Sequence, residues 1–163
     1  MSTELEKATF NSDVDLVQSL IQSGSVITYG ALQNSVMAET KSEARKREQI
    51  CQILFEAGAD PNMPRPEGNA HILDLAAGSV SQKILEMTLN AGAKIDEGWP
   101  LHAAVEEDRL DNLKILLAAG ADPKKGLSSD YPDELDDMLG MTPLEYAVRI
   151  GSKKCAKHLK TLG

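Results

Sequence analysis

The sequence predicts an all-α solenoid of about five helix-turn-helix units, with the terminal units acting as caps. Three observations carry that prediction. The first is a recurring closing phrase: "LFEAGADPN" ends at Asn62, "TLNAGAKID" at Asp96 and "LLAAGADPK" at Lys124, with a weaker copy, "LIQSGSVIT", ending at Thr28. The second is a fixed length. Leu5 to Gly24, Leu73 to Gly92, Leu101 to Gly120 and Leu144 to Gly163 each span 19 positions. The third is helical phase. In "LDNLKILLAAG", Leu110, Leu113, Leu116 and Leu117 fall on one face of a helix.

Each element follows from local chemistry. A glycine after an apolar helical stretch can take the left-handed conformation that ends a helix. At the other end, Thr142 followed by Pro143 supplies a hydroxyl N-cap and then a proline at the first helical position. One such helix pair cannot bury its apolar face alone, so stacked units must share one core. The units fall at about 1–28, 29–62, 63–96, 97–124 and 140–163, as one domain over 1–163. The second unit, Leu32 to Gly58, spans 26 positions and so carries seven extra residues, within or near "ETKSEARKR". That stretch reads as an extended, solvated helix end, with a second contact region as the alternative. The last helix is basic (Lys153, Lys154, Lys157, Lys160) where no further unit would cover it, as a terminal cap requires.

Composition limits the function classes. Aromatics are 4% of the chain, so the core must be aliphatic, and the net charge of −8 argues against a nucleic-acid partner. The same field suits a basic protein, although acidity also serves solubility. Two cysteines, Cys51 and Cys155, have no metal or disulfide spacing. The polar, acidic N-terminus lacks the pattern of a signal peptide, and no apolar run is long enough for a membrane span. These features lead to the expectation of a soluble cytoplasmic chain, monomeric when free and without a membrane partner.

The phrases "TPLEYA" at 142–147 and "WPLHAA" at 99–104, and more distantly "HILDLAA" at 71–77, together with "LFEAGADPN" and "LLAAGADPK", resemble the ankyrin repeat over nearly the whole chain. The resemblance implies an ankyrin solenoid that binds proteins through its loop tips and the exposed face of each first helix. Carried over residue by residue, those positions are Phe10 and Asn11, Met37 and Ala38, Gly78 and Ser79, Glu106 and Glu107, and Arg149 and Ile150. Asp108 stands where the family commonly has glycine, and Trp99 replaces the motif's threonine. Trp99 is either a partner anchor or packing over the shortened preceding turn.

No catalytic, cofactor or metal site is expected. The resemblance gives His102 a structural hydrogen bond between repeats. His71 and His158 belong to no pattern with a nucleophile. Cys51 aligns with Val17 and Leu113 and is expected to face inward, while Cys155 aligns with Asn112 and is expected to be partly exposed. The carboxylates Asp130, Asp133, Glu134, Asp136 and Asp137 lack calcium-loop spacing.

Loop lengths then mark one end of the molecule. A standard repeat leaves about 14 positions between the glycine and the next unit's leucine. Gly120 to Leu144 takes 24. The acidic insertion at 125–139 is therefore expected to form the centre of a partner-binding surface. Its members are Trp99, Glu106, Glu107, Asp108, Tyr131, Asp133, Glu134, Leu135, Asp136, Asp137, Met138 and Arg149. The expected function is non-catalytic protein binding, either as a stoichiometric inhibitor or immunity-type protein that occludes a basic toxin or nuclease, or as a cytosolic adaptor in signalling. An enzyme is the most distant alternative.

Overall fold

The computed structural model describes residues 2–128 and 137–163. Within them ten α-helices follow one another: α1 (Glu4–Phe10), α2 (Val14–Gln22), α3 (Tyr29–Val36), α4 (Lys41–Glu56), α5 (Ile72–Gly78), α6 (Gln82–Asn90), α7 (Pro100–Glu106), α8 (Leu110–Ala118), α9 (Pro143–Ile150) and α10 (Lys153–Lys160). No strand occurs among the described residues. The odd-numbered helices stack in order, α1 on α3, α3 on α5, α5 on α7 and α7 on α9. The even-numbered helices make a second layer in the same order. Two layers with nearest-neighbour contacts make the solenoid that the repeat pattern requires.

The helix starts are chemically specified. Thr3, Thr28, Thr40 and Thr142 each offer a side-chain oxygen to a first-turn backbone N–H. Glu6, Glu43 and Glu145 complete capping boxes at three of these ends. The helix ends repeat one device. Ser25, Ala59, Ala93 and Ala121 each donate an N–H to the carbonyl five residues back, at Leu20, Leu54, Thr88 and Leu116. The preceding glycines sit at φ between 84° and 102°, a region that a side chain would strain.

The core is aliphatic, as the scarcity of aromatics requires. Leu5, Leu32, Leu73 and Leu101 are buried on the first-helix layer, with Ala8, Ala76, Ala104 and Ala147 allowing close approach between neighbours. Seven positions before each closing glycine lies Val17, Cys51, Leu85 or Leu113, all fully buried. Each such leucine contributes about 1.5–3 kcal/mol relative to exposure.

The two irregularities are resolved differently. Helix α4 has 16 residues where α2, α6 and α8 have 9, so the seven extra residues of the second unit are two added turns at its start. The long loop before α9 is pinched at its base. Leu127 N–H donates to the Met141 carbonyl at 3.0 Å, and Gly140 N–H donates to the Leu127 carbonyl at 2.8 Å. A Cβ on Gly126 would run into the Gly140 carbonyl oxygen, which is why glycine stands there. Leu127 is buried in the core beside this neck.

One expectation fails. Cys155 is fully buried, not partly exposed. Its counterpart Asn112 misled by polarity. The Asn112 carboxamide is itself buried, donating to the Ala77 and Ser79 carbonyls at 2.8 Å each. From the second unit to the fifth, that column (Ile50, Ile84, Asn112, Cys155) faces inward whatever its residue type. Burial raises the Cys155 thiol to about 11, which leaves it protonated and unreactive.

Candidate partner-binding site

A ladder of polar side chains on the first-helix layer sets the geometry of the exposed face. At the third helical position of α1, α5 and α7, a polar side chain reaches the start of the next odd-numbered helix. Glu6 accepts from the Thr28 hydroxyl at 2.6 Å. Asp74 accepts from the Trp99 N–H at 2.9 Å and from its own unit's His71 N–H at 3.2 Å. His102 donates from Nε2 to the Met141 carbonyl at 2.8 Å, so the inter-repeat bond expected of it is present. The rings of His102 and Tyr146 also meet edge-on at 5.6 Å.

Burial drives two of these groups in opposite senses. It raises the Asp74 carboxyl to about 7, and the N–H bonds from Trp99 and His71 only partly counter it. Burial also lowers the His102 imidazole to about 4, so that ring is neutral at physiological pH. The Glu6 side chain is half-buried, and the Thr28 hydroxyl holds its carboxyl below the usual range.

In front of this ladder lies a groove of about 700 Å³. It runs from the turn after α3, across α5, to the end of α7. Met37, Leu75 and Ala103 give it an apolar floor, and Glu39, Glu106 and Glu107 stand exposed along it. Asp74 and Trp99 form part of its wall. Arg109 closes one flank, donating from Nε to the Gly78 carbonyl at 3.1 Å with Nη2 3.7 Å from Glu107.

The sequence-derived site residues separate into five groups. Glu106 and Glu107 lie on the groove. Trp99 is only 7% exposed; its ring packs edge-on to His71 with centroids 6.0 Å apart, so it forms wall rather than a protruding anchor. Asp108, at φ 48°, turns its carboxylate toward α10, accepting from the Ser152 hydroxyl at 2.8 Å and the Cys155 N–H at 3.1 Å. Against the opposing pull of burial, these bonds hold that carboxyl below its ordinary value. Asp137 and Arg149 are brought together in an exposed ion pair at 2.9 Å, fixing the returning end of the insertion to α9, with Met138 half-buried beside the core. Tyr131, Asp133, Glu134, Leu135 and Asp136 lie outside the described residues. Phe10, Met37 and Ile150, carried over from the repeat pattern, are exposed, Phe10 at 69%.

Sequence reasoning missed Glu39, Asp74, Leu75 and Arg109 as groove residues. The signal for Asp74 was present: it occupies the histidine slot of "HILDLAA". No group of three metal-ligating side chains occurs among the described residues. Nor is any helix among them long and apolar enough to cross a membrane.

Comparison with known proteins identifies the family. The family profile described as "Ankyrin repeats (many copies)" matches residues 101–159. Human "Cyclin-dependent kinase inhibitor 2A" is 32% identical over 125 residues, covering 72% of this chain and 71% of that protein. The chain belongs to the ankyrin-repeat family. The groove lies along the first-helix layer and the turns that follow α3, α5 and α7. Ankyrin repeats support a role in protein interaction, and this chain shares that coarse function.

Proposed function

We propose that this ankyrin chain is a non-catalytic binding protein that inhibits a basic partner protein by occluding its surface. The acidic groove across α3, α5 and α7 carries the reading, because an apolar floor edged by Glu39, Glu106 and Glu107 complements a cationic surface. The similar human protein is an inhibitor by its printed name, which supports occlusion over passive scaffolding. The 125–139 insertion contributes further carboxylates by its sequence. The partner would be a single protein, with a toxin or nuclease as one candidate class. No cofactor takes part.

The test is affinity capture with the whole chain, followed by mass spectrometry. Wild type is expected to retain a stoichiometric basic protein that Glu39→Lys/Glu106→Lys loses at low salt. Replacing residues 128–139 with a short Gly-Ser link should weaken retention while the groove still engages. Retention unchanged in both variants would remove this face from consideration, and capture of several signalling proteins together would favour an adaptor.

A further inference from the structure

We propose that the groove between α3, α5 and α7 is a socket for one arginine side chain of the partner, which enters with its alkyl stem over Met37, Leu75 and Ala103 and its guanidinium between Glu39 and Glu106. The inference rests on the binding role proposed above and gives that surface its specificity.

The first support is charge. The groove is lined by the exposed carboxylates of Glu39, Glu106 and Glu107, with one cation, Arg109, among its walls. An anionic partner group would be repelled there. A purely apolar one would leave the carboxylates beside a dry contact.

The second support is shape. Met37, Leu75 and Ala103 give a floor of aliphatic carbon, which suits the methylene stem of a long cationic side chain. Gly78 opens the centre: a Cβ there would sit 3.5 Å from the Glu107 Cγ and narrow the passage. A volume of about 700 Å³ exceeds that of one side chain, so the flanking backbone of an extended segment also fits.

The third support is a guanidinium already in place. Arg109 lies along one flank with its Nε–H on the Gly78 carbonyl and Nη2 near Glu107. The chain therefore shows, with its own residue, that a carbonyl and a carboxylate of this groove can hold a planar cation. Guanidinium is the better fit than ammonium, since it is weakly hydrated and presents several donors in one plane.

The test uses N-acetyl-arginine amide, with the lysine and leucine analogues as comparisons, titrated into the full chain and followed by amide chemical shifts. The arginine probe is expected to move Leu75, Gly78 and Ala103 together, with at least threefold weaker binding to Glu39→Gln/Glu106→Gln. Lysine should bind more weakly, and leucine should leave the three amides in place. The proposal is overturned if leucine moves them as strongly, if arginine shifts spread equally to remote acids such as Asp13 and Asp15, or if the double variant binds as well as wild type. Amide dispersion of the variant, matched to wild type, separates lost binding from lost fold. A silent arginine probe with partner capture still sensitive to Glu39→Lys/Glu106→Lys would overturn the socket and leave the binding face standing. A bound probe with charge-insensitive capture would do the reverse.

Discussion

Two joints in this solenoid use the same helical position and opposite chemistry. Between the third and fourth units Asp74 accepts the Trp99 N–H, whereas between the fourth and fifth His102 donates to the Met141 carbonyl. Both side chains are buried, and burial favours the neutral form of each. The joint is therefore defined by reach and by a satisfied backbone group, and either polarity serves. What differs is the response to protons.

The largest effect should come from removing the better-packed member. His102→Ala loses the Met141 bond and the edge contact with Tyr146, and is expected to destabilise the chain by roughly 2–4 kcal/mol in denaturant titration. A loss under 1 kcal/mol would show that the fifth unit docks without it.

The next prediction sharpens the contrast through pH. Asp74 stays protonated in the folded chain up to about 7 but ionises in the unfolded chain near 4. The folded state thus binds the extra proton, and this group's contribution falls as pH rises from 4 to 7. His102 stays neutral when folded down to about 4, whereas the unfolded chain takes up its proton below 6.5. Its contribution falls as pH drops from 6.5 to 4. The two slopes, each of about 1.4 kcal/mol per pH unit, largely cancel in that window. Relative to wild type, Asp74→Asn should therefore gain stability as pH rises from 4 to 6.5, and His102→Gln should lose it. Parallel pH–stability curves for all three proteins would show that these groups do not titrate as their burial requires.

The smallest effect concerns the second-helix layer at the same final joint. Asp108→Ala removes the acceptor for Ser152 and Cys155 at the start of α10 and is expected to cost about 1 kcal/mol by thermal denaturation. Asp108→Gly should cost less, because glycine relieves the left-handed backbone while losing the same bonds.

The repeats were legible because each unit states its own ends: a capped start, an apolar phase and a closing glycine. The two added turns of α4 were legible from length and charge alone. The groove was not, since Glu39, Leu75 and Arg109 lie on three different units and only stacking brings them together. Polarity also misdirected the reading where hydrogen bonds reverse its meaning. Asn112 is buried because two carbonyls receive it, and Asp108 looks like part of an acidic surface until its carboxylate is found capping α10. Trp99 shows the same limit, since sequence alone could not choose between anchor and wall.

The paired bonds of Leu127 with Met141 and Gly140 have a consequence for how this protein can vary. Leu127 is tied to Gly140 and Met141 at one clasp, so residues added or removed between its two sides need not shift any later unit. Doubling such a loop costs only about 0.6 kcal/mol. The clasp makes 128–139 an exchange cassette: a new recognition segment could be installed there, by evolution or by hand, while the five-unit frame keeps its alignment.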